Sequence, residues 1–277
     1  MPSILIPAHN EANVIAKSLM QLVDGLKKRS FEIIVICNGC DDNTADIVKS
    51  ISNDIICLET SVKSKTNAIN LGEKYAQYFP RIYLDADVIV SLETVDALCA
   101  KLNEGYLAVS PIVKMNLKSC SYIVKSYYDI WLSLPYCKAG MIGAGIYALS
   151  ENGRKRFESF PDIIADDEYV RLHFNENERT KLTDQYSLVN APKHISGLIK
   201  IKTRSRLGGY ELRKKYPDLF NNNKKNYTKV IKQYIFKMHA WPKFTIYLLV
   251  NIVSRIRAKQ LLASNDFTWE RDDTSRV

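Results

Sequence analysis

The chain has 277 residues, 46% of them hydrophobic and 25% charged, a globular composition that excludes a disordered or fibrous chain and leaves room for one large domain or two small ones. Its net charge of +9 is unevenly placed: residues 1–192 carry −4, residues 193–264 carry +15 and the remaining tail −2. Any function must accommodate an acidic body with a basic C-terminal quarter.

Residues 3–8 (SILIPA) predict a buried strand. Residues 12–27 place Ile15, Leu19, Leu22, Val23 and Leu26 on one helical face, closed by Gly25 and the basic cluster Lys27 to Arg29. EIIVICN (32–38) is a second strand, with Asp42, Asn43 and Thr44 as caps for a helix through Ile51. IICLE (55–59) is a strand, 66–79 a helix, RIYLDADV (81–88) a strand, and Ser91 caps a helix ending before Gly105. Strands apolar on both faces and alternating with helices predict a parallel sheet covered on both sides. After about residue 105 the rhythm loosens. LAVSPIV (107–113) and MIGAGIYAL (141–149) are strands, Tyr122 to Leu134 an aromatic-rich helix, and Asp166 to Phe174 a short helix with an acidic start. From His194 the pattern is basic and mainly helical, with Asn221 to Asn226 as the flexible connector.

The six cysteines, at 37, 40, 57, 99, 120 and 137, lie in or beside apolar runs and predict reduced thiols in a cytosolic chain. Cys37 and Cys40 form one CxxC, but a zinc site would need a second pair or a nearby His pair. The chain opens on an apolar strand rather than a basic leader. Its longest apolar run, Phe244 to Val253, is broken by Asn251, so neither a signal peptide nor a membrane span is expected.

Ligands of an open parallel sheet bind outside the carboxyl ends of its strands. Those ends are Pro7-Ala8-His9-Asn10-Glu11, Cys37-Asn38-Gly39-Cys40-Asp41-Asp42 and Asp85-Ala86-Asp87. Two of the three are strongly acidic, and with Lys63 and Lys65 beside them they suit Mg²⁺ or Mn²⁺ holding a phosphorylated ligand. By itself Asp85-Ala86-Asp87 reads first as a pair of turn-forming aspartates and Asp166-Asp167-Glu168 as acids favoured by a helix dipole, while Lys65 reads equally well as a solvated helix-start lysine or as a ligand-binding one.

Taken in order over roughly residues 3–175, the series ILIPAHNEA, EIIVICNGCDDNTADIV, KSKTNAINLG, LDADVIV and IADDEYVRL resembles the family 2 glycosyltransferases of the GT-A fold. The resemblance implies an α/β domain at 1–192 with a mostly parallel central sheet flanked by helices. Its nucleotide-sugar half is 1–105 and its acceptor half 106–192, and a basic helical extension follows at 193–277. It also implies inverting transfer from a nucleoside diphosphate sugar, with UDP preferred, aided by a divalent metal. By position, Pro7, His9 and Glu11 would cradle base and ribose, His9 supplying a flat ring where relatives carry Tyr or Phe. Asn38 matches the polar end of the second strand, while Cys37 departs from a common Asp. Lys65 would stand beside the donor, Asp85 and Ala86 would contact the nucleoside, and Asp87 would hold the metal bridging the two phosphates. Asp166-Asp167 aligns with a Glu-Asp pair, which makes Asp167 the general base. Gly143-Ala144-Gly145, with Ala148, satisfies a relaxed dinucleotide fingerprint, but a strand rather than a helix follows it. The resemblance puts this strand on the acceptor side.

Lys200, Lys202, Arg204 and Arg206 alternate in the basic quarter, followed by Arg213-Lys214-Lys215, and Arg204 and Arg206 are candidates to fold over the donor diphosphate. Two accounts of Tyr234 to Leu262 stand level: an interfacial helix on anionic lipid, or a helix packed on the domain through its apolar stripe. The expected partners are a nucleotide-sugar donor and a saccharide or lipid-linked acceptor, in cell-surface polysaccharide or glycolipid synthesis at the cytosolic face. The rivals are a nucleotidyltransferase, which would want a Gly-rich basic loop where PAHNEA stands, and a nucleic-acid binder. No reading module accompanies the charge, so nucleic acid is not an expected partner.

Overall fold

Period-2 alternation in fully apolar strands gives the sheet two buried faces. In the computed structural model, which describes residues 1–26, 31–134, 137, 145–220, 241–264, 272 and 274–276, β1 (Ser3–Ala8) and β2 (Glu32–Asn38) send Ile4, Ile6, Ile33 and Val35 into one core and Leu5, Ile34 and Ile36 into the other. The expected basic cluster at 27–29, the connector 221–226, Gly143 and Ala144, and the start of the 234–262 segment lie outside the described residues.

β3 (Ile55–Thr60) and β4 (Arg81–Leu84) complete a parallel half, in which β1 pairs with β2 and β4, and β2 with β3. Helix α1 (Ile15–Leu26) covers one face through Ile15, Leu19 and Leu22; α2 (Thr44–Ile51) adds Val48. Helix α3 (Lys65–Tyr75) covers the other face with Ala68 and Ile69. It ends four residues earlier than the sequence pattern implies. Ala76 turns extended, and the Arg81 guanidinium takes up the Ala76 and Tyr78 carbonyls that a longer helix would have bonded internally.

The second half makes the sheet mixed. Its order is β3-β2-β1-β4-β7-β6-β8-β5, with β5 (Val88–Val90), β6 (Ala108–Asn116), β7 (Ile146–Leu149) and β8 (Arg179–Asn190). β7 runs antiparallel to β4 and β6, β8 parallel to β6 and antiparallel to β5. RIYLDADV is therefore two strands of one sheet with a turn between them. β8 was not expected at all: its residues RTKLTDQYSLVN are half polar, and its ladder to β6 shifts register between Ser110 and Ile112.

Helix α4 (Leu92–Asn103) starts at Ser91, whose hydroxyl accepts from Thr94 N. Helices α5 (Tyr122–Ser133), α6 (Glu151–Arg154) and α7 (Asp166–Leu172) follow. The basic quarter supplies α8 (Ile195–Lys215) and α9 (Trp241–Ala263). α9 packs on α5 and α8 through a narrow face of Val250, Ser254 and Ala258, with Tyr247 stacked on Tyr127 at 5.2 Å and Lys243 bridging Asp129 at 2.6 Å. Leu248, Leu249, Ile252, Val253 and Ile256 point outward and are exposed. The helix thus packs on the domain through that face together with Phe244, Ile246 and Tyr247, while the five aliphatic residues just named stay exposed. Among the described residues no helix is long and apolar enough to cross a membrane.

Candidate active site

A cavity of about 1520 Å³ opens at the carboxyl ends of β1, β2 and β4, and all nine residues singled out from the sequence line it. Each arrives for a local reason. Pro7 is the last residue but one of β1, and His9 Nδ1 sits 2.7 Å from the Asn38 carbonyl, which fixes the imidazole between the ends of β1 and β2. Glu11 donates its N–H to Thr44 Oγ1 at 2.8 Å, tying the first loop to the start of α2. Asn38 lines the cavity. Cys37, one residue earlier and therefore on the opposite face, is buried in the core, so the missing Asp there removes nothing from the cavity wall. Cys40 Sγ joins the first loop instead, within 3.4 Å of Asn10 N and Ala8 O, and all six cysteines are free thiols.

Asp85-Ala86-Asp87 forms the turn between β4 and β5, closed by Val88 N donating to Asp85 O. Asp85 N also donates to the Gly145 carbonyl at 2.8 Å. Gly145 has φ +63°, and a Cβ there would lie 2.4 Å from Val88 Cγ2, so only glycine lets β7 approach the turn this closely. The small-residue strand therefore begins against the aspartate turn.

The turn directs the two carboxylates to different cations. Lys65, at the first position of α3 after the Ser64 cap, bridges Asp85 at 2.7 Å and Asp166 at 3.0 Å. Burial opposes the Lys65 charge, but Asp166 and Asp85 outweigh it and hold the ammonium above its ordinary pKa. Asp87 instead meets Arg276, whose guanidinium lies 3.1 Å from Asp87 and 2.8 Å from Glu11. Asp272 holds this last turn of chain by accepting from Ser275 N at 3.0 Å, Lys193 N donates to Thr274, and Gly197 leaves room for the Asp272 carboxylate.

Asp166, Asp167 and Glu168 open α7. Asp166 is buried, and its second oxygen, like the Tyr147 hydroxyl that also lines the cavity, has no hydrogen-bond partner among the described residues. Glu168 turns away to a bidentate pair with Arg171. Asp167 is exposed to the cavity, while the cleft around it and the neighbouring Asp166 push its pKa up to about 6 against the pull of Lys65. Of the two arginines singled out in the basic quarter, Arg204 is influenced by Asp85, Asp87 and Asp166, whereas Arg206 donates to Asn251 on α9. On a helix, alternate residues cannot share a face.

Among the described residues no cluster of three metal-ligating side chains occurs. The hard oxygens of Asp87, with Asp85 two residues away, fit a cation that takes its remaining ligands from phosphate and water. They fit it once Arg276 releases Asp87. Sequence patterns gave no warning of Arg276; the one local signal is the capping arrangement Asp272-x-Thr274-Ser275.

Comparison with known proteins yields a consistent picture. The model of the family described as Glycosyl transferase family 2 matches residues 3–141. A poly-beta-1,6-N-acetyl-D-glucosamine synthase of Staphylococcus aureus strain MSSA476 is 37% identical over 91 residues, covering 32% of this chain and 22% of that protein. A protein of the same name from Staphylococcus epidermidis is 27% identical over 228 residues, covering 76% of this chain and 55% of that protein. The chain thus matches only part of the length of these curated relatives. Among solved structures, the mannosyltransferase PcManGT from Pyrobaculum calidifontis in complex with GDP-Man and Mn²⁺ superposes with a TM-score of 0.60 at 16% identity, covering 95% of this chain and 79% of that one. S. aureus TarS in complex with UDP-GlcNAc gives 0.53 at 13%, covering 96% and 93%. At these identities the superpositions speak for the fold.

Proposed function

The chain belongs to glycosyl transferase family 2, and from that premise we propose that it moves a sugar from a UDP-sugar to a saccharide or lipid-linked acceptor with inversion, in the assembly of a cell-surface polysaccharide or glycolipid. The observation that carries this reading is the Lys65 bridge. One ammonium joins Asp85, at the end where a nucleoside diphosphate would lie, to Asp166, next to the carboxylate Asp167 that would act on the acceptor.

In this reading Pro7, His9, Glu11 and Asn38 hold the base and ribose, with Asp85 and Ala86 continuing the cradle. Asp87 would hold a divalent cation, which when bound on the diphosphate neutralises the charge of the leaving group. Arg276 must first give up Asp87 and Glu11, so entry of donor and displacement of the C-terminal turn are coupled. Arg204 adds positive charge beside the departing diphosphate. The Tyr147 hydroxyl and the second Asp166 oxygen, both without a hydrogen-bond partner among the described residues, would bond hydroxyls of the transferred sugar. Asp167 takes the proton of the acceptor hydroxyl as that oxygen attacks the anomeric carbon from the face opposite the diphosphate.

The exposed aliphatic residues of α9, with Arg255, Arg257 and Lys259 on the same helix, favour contact with an anionic bilayer surface, the acceptor being presented there. The direct test is UDP release from a UDP-sugar with acceptor present. Wild type turns over, Asp167→Asn loses about 10²- to 10⁴-fold in rate while still binding donor, and the new glycosidic bond has the opposite anomeric configuration. Normal turnover by Asp167→Asn removes Asp167 from the role of base.

A further inference from the structure

Helix α8 carries two sets of cations on different faces. Arg204 and Gly208, four residues apart, turn toward the start of α7: a Cβ on Gly208 would lie 3.0 Å from Ala165 and from Ile164. The charges acting on Arg204 are those of Arg276, Asp85, Asp87 and Asp166. Lys202 and Arg206, also four apart, turn the other way, toward α5 and α9. Lys202 Nζ stands 4.5 Å from the ring centroid of Trp131, 5.3 Å from Tyr127 and 5.4 Å from Tyr128. Arg206 reaches Asn251, and Gly209 on the next turn has open space where a Cβ would be. Lys202, Arg204, Arg206, Gly209, Asn251 and the three aromatic residues line the same cavity as the aspartates.

The difference between the two sets is their counter-charge. Carboxylates act on Arg204, but the groups acting on Lys202 are the Cys137 thiol and Arg206. Among the described residues Lys202 has neither an ion pair nor a hydrogen bond. Three ring faces attract the ammonium without neutralising it, and Arg206 adds charge of the same sign. Burial pushes the Lys202 pKa down to about 8, which still leaves most of it protonated at neutral pH. An ammonium and a guanidinium side by side in a sheltered part of the cavity, with no ion pair to a carboxylate among the described residues, are stable only at a cost, one that an anionic ligand would remove.

We propose that Lys202 and Arg206, walled by Tyr127, Tyr128 and Trp131, form a second anion subsite that takes a phosphate group carried by the acceptor, separate from the diphosphate of the donor. An ammonium and a guanidinium on adjacent turns offer several donors to several phosphate oxygens, and the rings offer flat apolar surface to the saccharide or polyol beside it. The assignment of this phosphate to the acceptor rests on the transfer reading above; the subsite itself does not.

Inorganic pyrophosphate, titrated calorimetrically into the full chain already saturated with UDP and Mn²⁺, tests it with the donor site filled. Wild type is expected to bind pyrophosphate. Lys202→Met and Arg206→Gln should each weaken that binding by about tenfold or more while changing UDP affinity by less than about twofold. Lys202→Arg should restore binding, which guards against a variant that merely misfolds. In transfer assays Lys202→Met should raise the acceptor KM and leave the donor KM alone. A saccharide linked to an isoprenoid phosphate in micelles and a soluble glycerol phosphate oligomer form the two acceptor arms, and the arm whose KM responds identifies the source of the phosphate. The proposal is overturned if UDP-filled wild type does not bind pyrophosphate, if Lys202→Met binds it equally well, or if Lys202→Met weakens UDP itself tenfold. Failure of wild type to bind UDP would instead count against the donor reading, and pyrophosphate binding by wild type against Lys202→Met would still judge the subsite.

Discussion

The pKa of Asp167 gives the account a quantitative consequence. A general base works only when charged, and its pKa of about 6 stands well above the ordinary 3.8, with burial in the cleft as the first cause and Asp166 as the second. Because the pKa is raised, the base is lost as pH falls through 6. At about pH 5 roughly a tenth of Asp167 is charged, against about nine-tenths at pH 7, so kcat/KM for the acceptor should fall about tenfold over that interval. An unperturbed aspartate would remain more than about nine-tenths charged at pH 5 and give an almost flat profile. The assay is initial-rate UDP release at saturating donor with acceptor varied. Lys65→Met provides the internal check. Lys65 opposes the upward shift, so removing its charge should move the acid limb to higher pH even though it also weakens donor binding. A rate that is flat down to about pH 5, or an acid limb that survives unchanged in Asp167→Asn, would refute the assignment.

Other consequences are equally direct. Arg276→Ala frees Asp87 and Glu11, and because both ion pairs are largely sheltered, affinity for Mn²⁺ with UDP should rise about three- to tenfold by calorimetry; unchanged or weaker affinity would show that the C-terminal turn does not compete for the site. Gly145→Ala forces a side chain into a left-handed backbone against Val88, and should lower stability by about 1–3 kcal/mol in thermal melts and weaken donor binding through the Asp85 turn. Replacing exposed Leu249 and Ile252 by Asp should abolish co-sedimentation with anionic vesicles at low salt and leave UDP release from soluble substrates near wild type; binding that persists would remove α9 from that role.

How much of this was legible in the sequence depends on how strongly each residue's neighbours are local. β1, β2 and β4 were plain because both of their faces are buried and their residues are accordingly uniform in polarity. β8 escaped notice because one of its faces is polar and its pairing to β6 is interrupted, which leaves no clean alternation to see. The strand-end clusters converge on one cavity as the topology of a parallel sheet demands, but the turn that splits β4 from β5 was hidden within one apolar run. Cys37 looked like a lost ligand, and only the pleat shows that Asn38, not Cys37, faces the cavity. The alternating Lys202, Arg204 and Arg206 seemed one basic row, whereas a helix divides them between a face with carboxylates and a face without. The contact of Arg276 with Glu11 spans 265 residues, a separation at which sequence pattern carries no signal.

The central claim, that this cavity binds a nucleoside diphosphate sugar with a divalent cation, is tested most directly by thermal denaturation of the full chain with a panel of nucleoside diphosphate sugars, each with and without Mn²⁺. The account predicts that at least one UDP-sugar stabilises the protein, by about 2.7 kcal/mol at a hundredfold excess over Kd, that Mn²⁺ enlarges the shift, and that Asp87→Asn removes the enlargement. No stabilisation by any donor, with or without the metal, would contradict it.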